Sequence, residues 1–244
     1  MAVAADNEYP KASNATLIGA SVTYIAGLFL LFSFAGPYWI ESYPEMFTSF
    51  KRMGLWEYCF DHFRFPAYQF DKLFHGCHYI FSREFYVIRE WLLPGWLMAV
   101  QSFVTLALIL SLIAQILLAC VIVRYPLRTV LRYEWIFVSF AFFMVAVSSV
   151  CLFLAVAIFG GNCYRRDWLL YPSFNVLSWS YAFSVIASIL FGIAALLLYL
   201  EAAKLYELRA EAKNLVAQMQ HSQPEHALNQ LRDQLHQQRY GWNT

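Results

Sequence analysis

Residues 91–123 read WLLPGWLMAVQSFVTLALILSLIAQILLACVIV, a run without a single Asp, Glu, Lys, Arg or His. An α-helix needs roughly 20 apolar residues to cross a hydrocarbon core of about 30 Å, and this run exceeds that. Three more such runs occupy residues 12–40, 135–164 and 169–200. Lipid leaves no backbone group unpaired, so spans are helices or closed barrels, and runs this continuously apolar are helices. Composition agrees: 60% of residues are hydrophobic, 19% aromatic and 14% charged, against about 25% charged in soluble domains. The expected fold is a four-transmembrane α-helix bundle, with spans over about 15–38, 95–123, 135–159 and 176–200.

The segment before the first run holds Asp6 and Glu8 against Lys11. A cleaved signal peptide wants a basic start and a shorter apolar stretch, so the run is read as a retained span. The net charge of +1 gives no reason to expect nucleic acid as a partner; membrane lipid is the expected one. The loop 124–134 is short and holds Arg124, Arg128 and Arg132. Short basic loops stay in the cytosol, whereas long loops translocate largely regardless of charge. This places residues 1–14 and the tail 201–244 in the cytosol. Loop 40–90 and the smaller loop 160–175 are then extracellular. The sequon Asn14-Ala15-Thr16 faces the cytosol and is read as unused.

Gly19, Thr23 and Gly27 make one small-residue face, and Ser184, Ser188 and Gly192 a second. Such faces let helix backbones approach closely in lipid, within the bundle or between copies. Trp91 and Trp96 suit the headgroup level, and Pro94 suits the first turn of a helix. In the tail, Leu205, Leu208, Ala212, Leu215 and Met219 follow helical spacing, so the last span is read as continuing into a helix. After Pro224, the residues Leu228, Leu231 and Leu235 suggest a second short helix.

All six histidines lie outside the spans, which excludes a haem held by axial histidines within the membrane. No acidic or basic residue lies mid-span, so the usual signature of a proton relay, ion carrier or voltage sensor is absent. No nucleophile elbow, zinc-protease motif or phosphate loop occurs. An enzyme is not expected, nor a cofactor. One metal-like grouping exists, His75-Gly76-Cys77-His78 with His62 and Cys59 near in sequence. Oxidised cysteines cannot ligate a metal, and the extracellular side favours oxidation, so no metal is expected. Cys59 and Cys77 are read as a disulfide, the staple that a loop without a large core of its own needs. Cys120 and Cys151 lie in spans as packing residues. Cys163 is left as a buried free thiol, an alternative partner or an intermolecular bridge. Aromatic runs at 54–60 and 77–81, with breaks at Pro66 and at His75-Gly76, predict a small extracellular antiparallel sheet standing on the bundle.

Trp39, then Gly54-Leu55-Trp56, then Cys59 and Cys77 resemble the W…GLW…C…C signature of the claudin and peripheral-myelin-protein superfamily. Four spans, a large first and small second extracellular loop and cytosolic ends also match that family across about 15–200. The resemblance implies that Cys59 and Cys77 form a disulfide inside the sheet. It further implies that Trp39, Gly54, Leu55 and Trp56 anchor the sheet at the membrane. Arg89, with Arg83 behind it, is the candidate for the family's arginine before span 2. The longer gap between Cys59 and Cys77 departs from vertebrate claudins. So does Cys163. Thr244 stands where an apolar residue would fill a PDZ pocket, which puts scaffold binding by that route in question. The divergent insect claudins of septate junctions are the nearest likeness.

The function this implies is structural: a claudin-like component of septate junctions that forms or organises the epithelial paracellular barrier. Its partners would be itself or other claudin-like proteins in cis and trans, and other junction membrane proteins, at the lateral plasma membrane. The alternative is an auxiliary, gamma-type subunit of an ion channel or receptor. A tetraspanin would carry its large loop between spans 3 and 4, where this chain is short. Acidic and basic residues nearly balance in loop 40–90, so a barrier is expected rather than a selective pore.

Overall fold

The computed structural model describes residues 12–43, 45, 48–65, 72–169 and 171–240, with side chains to Met219 and at Arg232. Segment 1–11, the expected break at Pro66, the side chains of Leu228, Leu231 and Leu235, and the chain end at Thr244 lie outside them. Four helices are long and apolar enough to cross a membrane. They lie in α1 (Asn14–Ala35), α3 (Gly95–Val123), α4 (Leu127–Asn162) and α5 (Trp179–Tyr240), with a single turn, α2 (Arg89–Leu92), before α3. The described strands are β1 (Ile40–Ser42), β2 (Phe50–Met53), β3 (Glu57–Arg64), β4 (Leu73–Tyr79) and β5 (Asn175–Leu177). They form one antiparallel sheet in the order β4-β3-β2-β1-β5.

Several helix ends lie apart from the span limits read in the sequence, and α4 also runs on to Asn162, past the expected 159. Helix α1 stops at Ala35, not Tyr38, because the residue before a proline is pushed out of the α region; Gly36, before Pro37, is extended. Helix α4 begins at Leu127, eight residues before Trp135, with non-helical backbone at Tyr133. There Arg124 donates to Glu134 at 2.6 Å, both side chains largely buried. Helix α5 begins at Trp179 rather than Val176, because Val176 pairs with Glu41 in the sheet. Pro94 is the N-cap of α3, one residue before the first turn.

Both small-residue faces are used inside the bundle. A Cβ on Gly19 would lie 3.1 Å from Leu198 Cδ2, and one on Gly27 would collide with the Gln115 side chain. Ser149 and Ser188 each donate to the other's carbonyl, at 3.0 and 3.2 Å, joining α4 to α5. Ile25, Leu28, Ile109, Ile116, Phe153 and Ile189 point outward, where lipid surrounds the bundle.

The chain divides into a compact unit ending at Glu201 and a second unit from Ala202. The second unit is helical to Tyr240, and its backbone stays helical at Pro224, where a break was expected. Leu208 and Leu215 of its seam are exposed.

Candidate functional site

The sheet and its seat on the bundle hold every residue of the sequence signature. Trp39 leads into β1 and is fully buried. Its indole nitrogen donates to Ser33 O at 2.8 Å. Ser33 lies in the last turn of α1, where carbonyls lack intrahelical partners, so Trp39 closes the end of the helix. Its ring meets Phe159 and Tyr181 edge-on, at centroid distances of 4.9 and 5.8 Å. Trp96 and Trp168 complete this aromatic layer, 4.6 Å apart.

Gly54 follows β2 and lies against the α1–β1 connection. A Cβ there would stand 2.6 Å from Gly36 O and 2.7 Å from Pro37 Cα, both backbone, so only glycine fits. Leu55 is fully buried, and its carbonyl accepts from Gln101 Nε2 of α3 at 2.6 Å. Trp56 packs on Phe34 of α1 at 5.3 Å, and its carbonyl accepts from Ile80 N. The Gly-Leu-Trp stretch thus touches α1, α3 and the end of β4 at once.

Cys59 and Cys77 face each other across β3 and β4 and are joined in a disulfide. The inner face of this pair carries Tyr58, Phe60, Phe63 and Phe74, all buried. Tyr58 donates to Leu92 O at 2.7 Å, and Trp168 Nε1 donates to the same carbonyl at 3.4 Å. One carbonyl at the end of α2 therefore gathers β3 and the segment after α4. Burial pushes the Tyr58 hydroxyl well above the ordinary phenol range. Arg89 donates to the carbonyls of Phe81 and Ser82, both at 3.2 Å, and holds the turn after β4. Arg52 donates to the Tyr38 hydroxyl and lies 4.4 Å above that ring.

The expected break at His75-Gly76 is not a turn. Both residues lie within β4, and Gly76 takes a φ of +89°, open to glycine without strain. Cys163 is a free, fully buried thiol that donates to Gly160 O at 3.2 Å. Burial raises its pKa. This is the first of the three expected states, a buried free thiol.

Sequence reading missed Gln101, β5, and the layer formed by Trp96, Phe159 and Trp168. An amide at the head of an apolar run was the available signal for Gln101. Gln101→Leu should leave the buried Leu55 carbonyl unpaired, at a cost of about 1–3 kcal/mol. Thermal unfolding of the purified protein checks this: the midpoint should fall by several degrees, and an unchanged midpoint contradicts the assignment.

The family model described as PMP-22/EMP/MP20/Claudin tight junction matches residues 24–200, well over half of the chain. The chain belongs to that family. It is a multi-pass membrane protein of the claudin type, whose members are structural rather than catalytic. A search of curated proteins found no match. The matched span begins within α1 and takes in the rest of that helix, the other three apolar segments and the whole sheet, β5 included.

Proposed function

We propose that the protein is a structural element of epithelial cell–cell junctions, a claudin-like component of septate junctions that seals the space between cells. The observation that carries this reading is a disulfide-stapled sheet seated on the membrane bundle of a tight-junction-type family. In this reading the sheet stands outside the cell, and the N-terminus and the tail lie in the cytosol.

The edges of the sheet support association. Strand β4 is an outer strand with Leu73 and Tyr79 half-exposed, and unpaired strand edges recruit further strands. An open hollow lined by Phe63, Phe65, Trp91, Trp168 and Tyr171 offers a seat for an apolar side chain of a neighbouring copy. The exposed pairs Lys72–Glu84 and Arg165–Asp167 cancel locally; hydrogen bonds from Lys72 and Arg165 hold Glu84 and Asp167 below the usual carboxylate range. A surface so balanced suits a barrier.

The test is passage of a fluorescent tracer between cells of an epithelium depleted of this chain. Leakage with disordered septa is the expected result. Continued exclusion with normal junctions overturns the reading and points to the auxiliary-subunit class, tested by a co-purifying channel.

A further inference from the structure

Strands β3 and β4 lose register between Phe60 and Phe63. Phe60 pairs with Gly76 and Phe63 with Phe74, so Asp61 and His62 together oppose the single residue His75. This is a β-bulge, with one extra residue on β3. It lets Phe60 and Phe63 both face the core, since strict alternation would turn Phe63 outward. Packing accounts for the bulge. It does not account for which residues occupy it.

Asp61 Oδ1 lies 2.8 Å from His62 Nδ1 and 3.3 Å from His75 Nδ1. The two imidazole rings are 4.7 Å apart. One ligand atom from each of the three lies within 4.8 Å of the others. His62 takes a φ of +47°, a strained conformation for a residue with a side chain, and such strain clusters at functional sites. Exposed ion pairs add little stability, so pairing with Asp61 does not repay that strain.

We propose that Asp61, His62 and His75 form a binding site for a zinc-class divalent cation. Two imidazole nitrogens and one carboxylate oxygen are its ligands, and the remaining position is left to water. A tetrahedral ion with bonds of about 2.1 Å holds its ligand atoms about 3.4 Å apart; the two Asp61 spacings of 2.8 and 3.3 Å lie near that, and the spacing between the two imidazole nitrogens, within 4.8 Å, closes by rotation of exposed rings. The ion replaces the proton that a ring nitrogen now shares with Oδ1, and that proton leaves to solvent. Lys51 Nζ stands 3.6 Å from Asp61 Oδ2, the other carboxylate oxygen, and leaves Oδ1 to the metal. Cys59 and Cys77 take no part, being oxidised. His78 takes none either, since its Nε2 donates to His75 O at 3.0 Å. The site stands on the bulge geometry and is independent of the junction reading.

The experiment is calorimetric titration of the tag-free full-length chain, in detergent, with Zn²⁺. His75→Gln removes one ligand; His62→Asn removes another while keeping a residue that tolerates the left-handed backbone. His78→Ala is the control, because it removes a neighbouring histidine whose Nε2 is engaged with His75 O and which is not a ligand. Loss of at least about tenfold in affinity in both ligand variants, with one fewer strong site per chain and no change in His78→Ala, is expected. Equal binding by the wild type and both ligand variants, or no binding at millimolar Zn²⁺, overturns the proposal.

Discussion

Trp39→Ala should be the most damaging single truncation in the sheet. Removing a fully buried tryptophan costs about 3–5 kcal/mol through lost contact and the cavity left behind. Here the loss is compounded. Ser33 O at the end of α1 loses its donor, and the rings of Phe159 and Tyr181 lose their shared neighbour. Its backbone also ties strands of the sheet together: Trp39 N donates to Met53 O of β2, and Ser178 N, just after β5, donates to Trp39 O. A collapsed cavity would disturb both β2 and β5. For a chain of this size the midpoint of thermal unfolding should drop by about 10 °C. Trp39→Phe keeps most of the ring but no donor, so it should lose about 1–3 kcal/mol. A Trp39→Ala protein that melts with the wild type would contradict the central place given to this residue.

How much of this was legible beforehand follows from which physics each feature rests on. The four spans rest on charge-free length, a property of the sequence alone, and they were readable. The stop of α1 was readable too, since Gly36-Pro37 is a helix-ending signal, but the apolar residues after it extended the reading to Tyr38. Strand β5 was hidden for the same reason. Val176 and Leu177 are apolar and lie within the last charge-free run, so hydropathy assigned them to the membrane, whereas backbone pairing with Ile40 and Glu41 decides their state. Gly76 read as a turn because glycine is a turn residue far more often than a strand residue with positive φ. The grouping of Asp61, His62 and His75 depends on a one-residue slip between strands. Residue spacing carries no trace of such a slip: the metal-like grouping seen in sequence held His62 and His75 but joined them to Cys59, Cys77 and His78, and it lacked Asp61.

Replacing both Cys59 and Cys77 by serine should free the outer half of the sheet while the helices persist. The bond closes a segment with a sequence separation of 18, and loss of such a closure costs about 3 kcal/mol in the chain-entropy account. The cost falls on β3 and β4, because β1 and β5 are held by the bundle through Trp39, Tyr38 and Ser178. Among the described residues strand β4 pairs only with β3 in this sheet, and the disulfide cross-links the two. What remains is the aromatic face of Phe60, Phe63, Phe74 and Phe85 and the Arg89 contacts to Phe81 and Ser82. These resist unfolding but close no loop. Hydrogen exchange should therefore speed up across β3 and β4 (57–64 and 73–79) and not across 95–123, and in cells the variant should be retained before reaching the surface. Cys77 is exposed, so a reductant applied to the folded wild type should reproduce the exchange pattern without any substitution. Unchanged protection of β3 and β4 in both experiments would show that side-chain packing alone holds β4. The barrier reading would then have to rest on the bundle-anchored strands β1, β2 and β5.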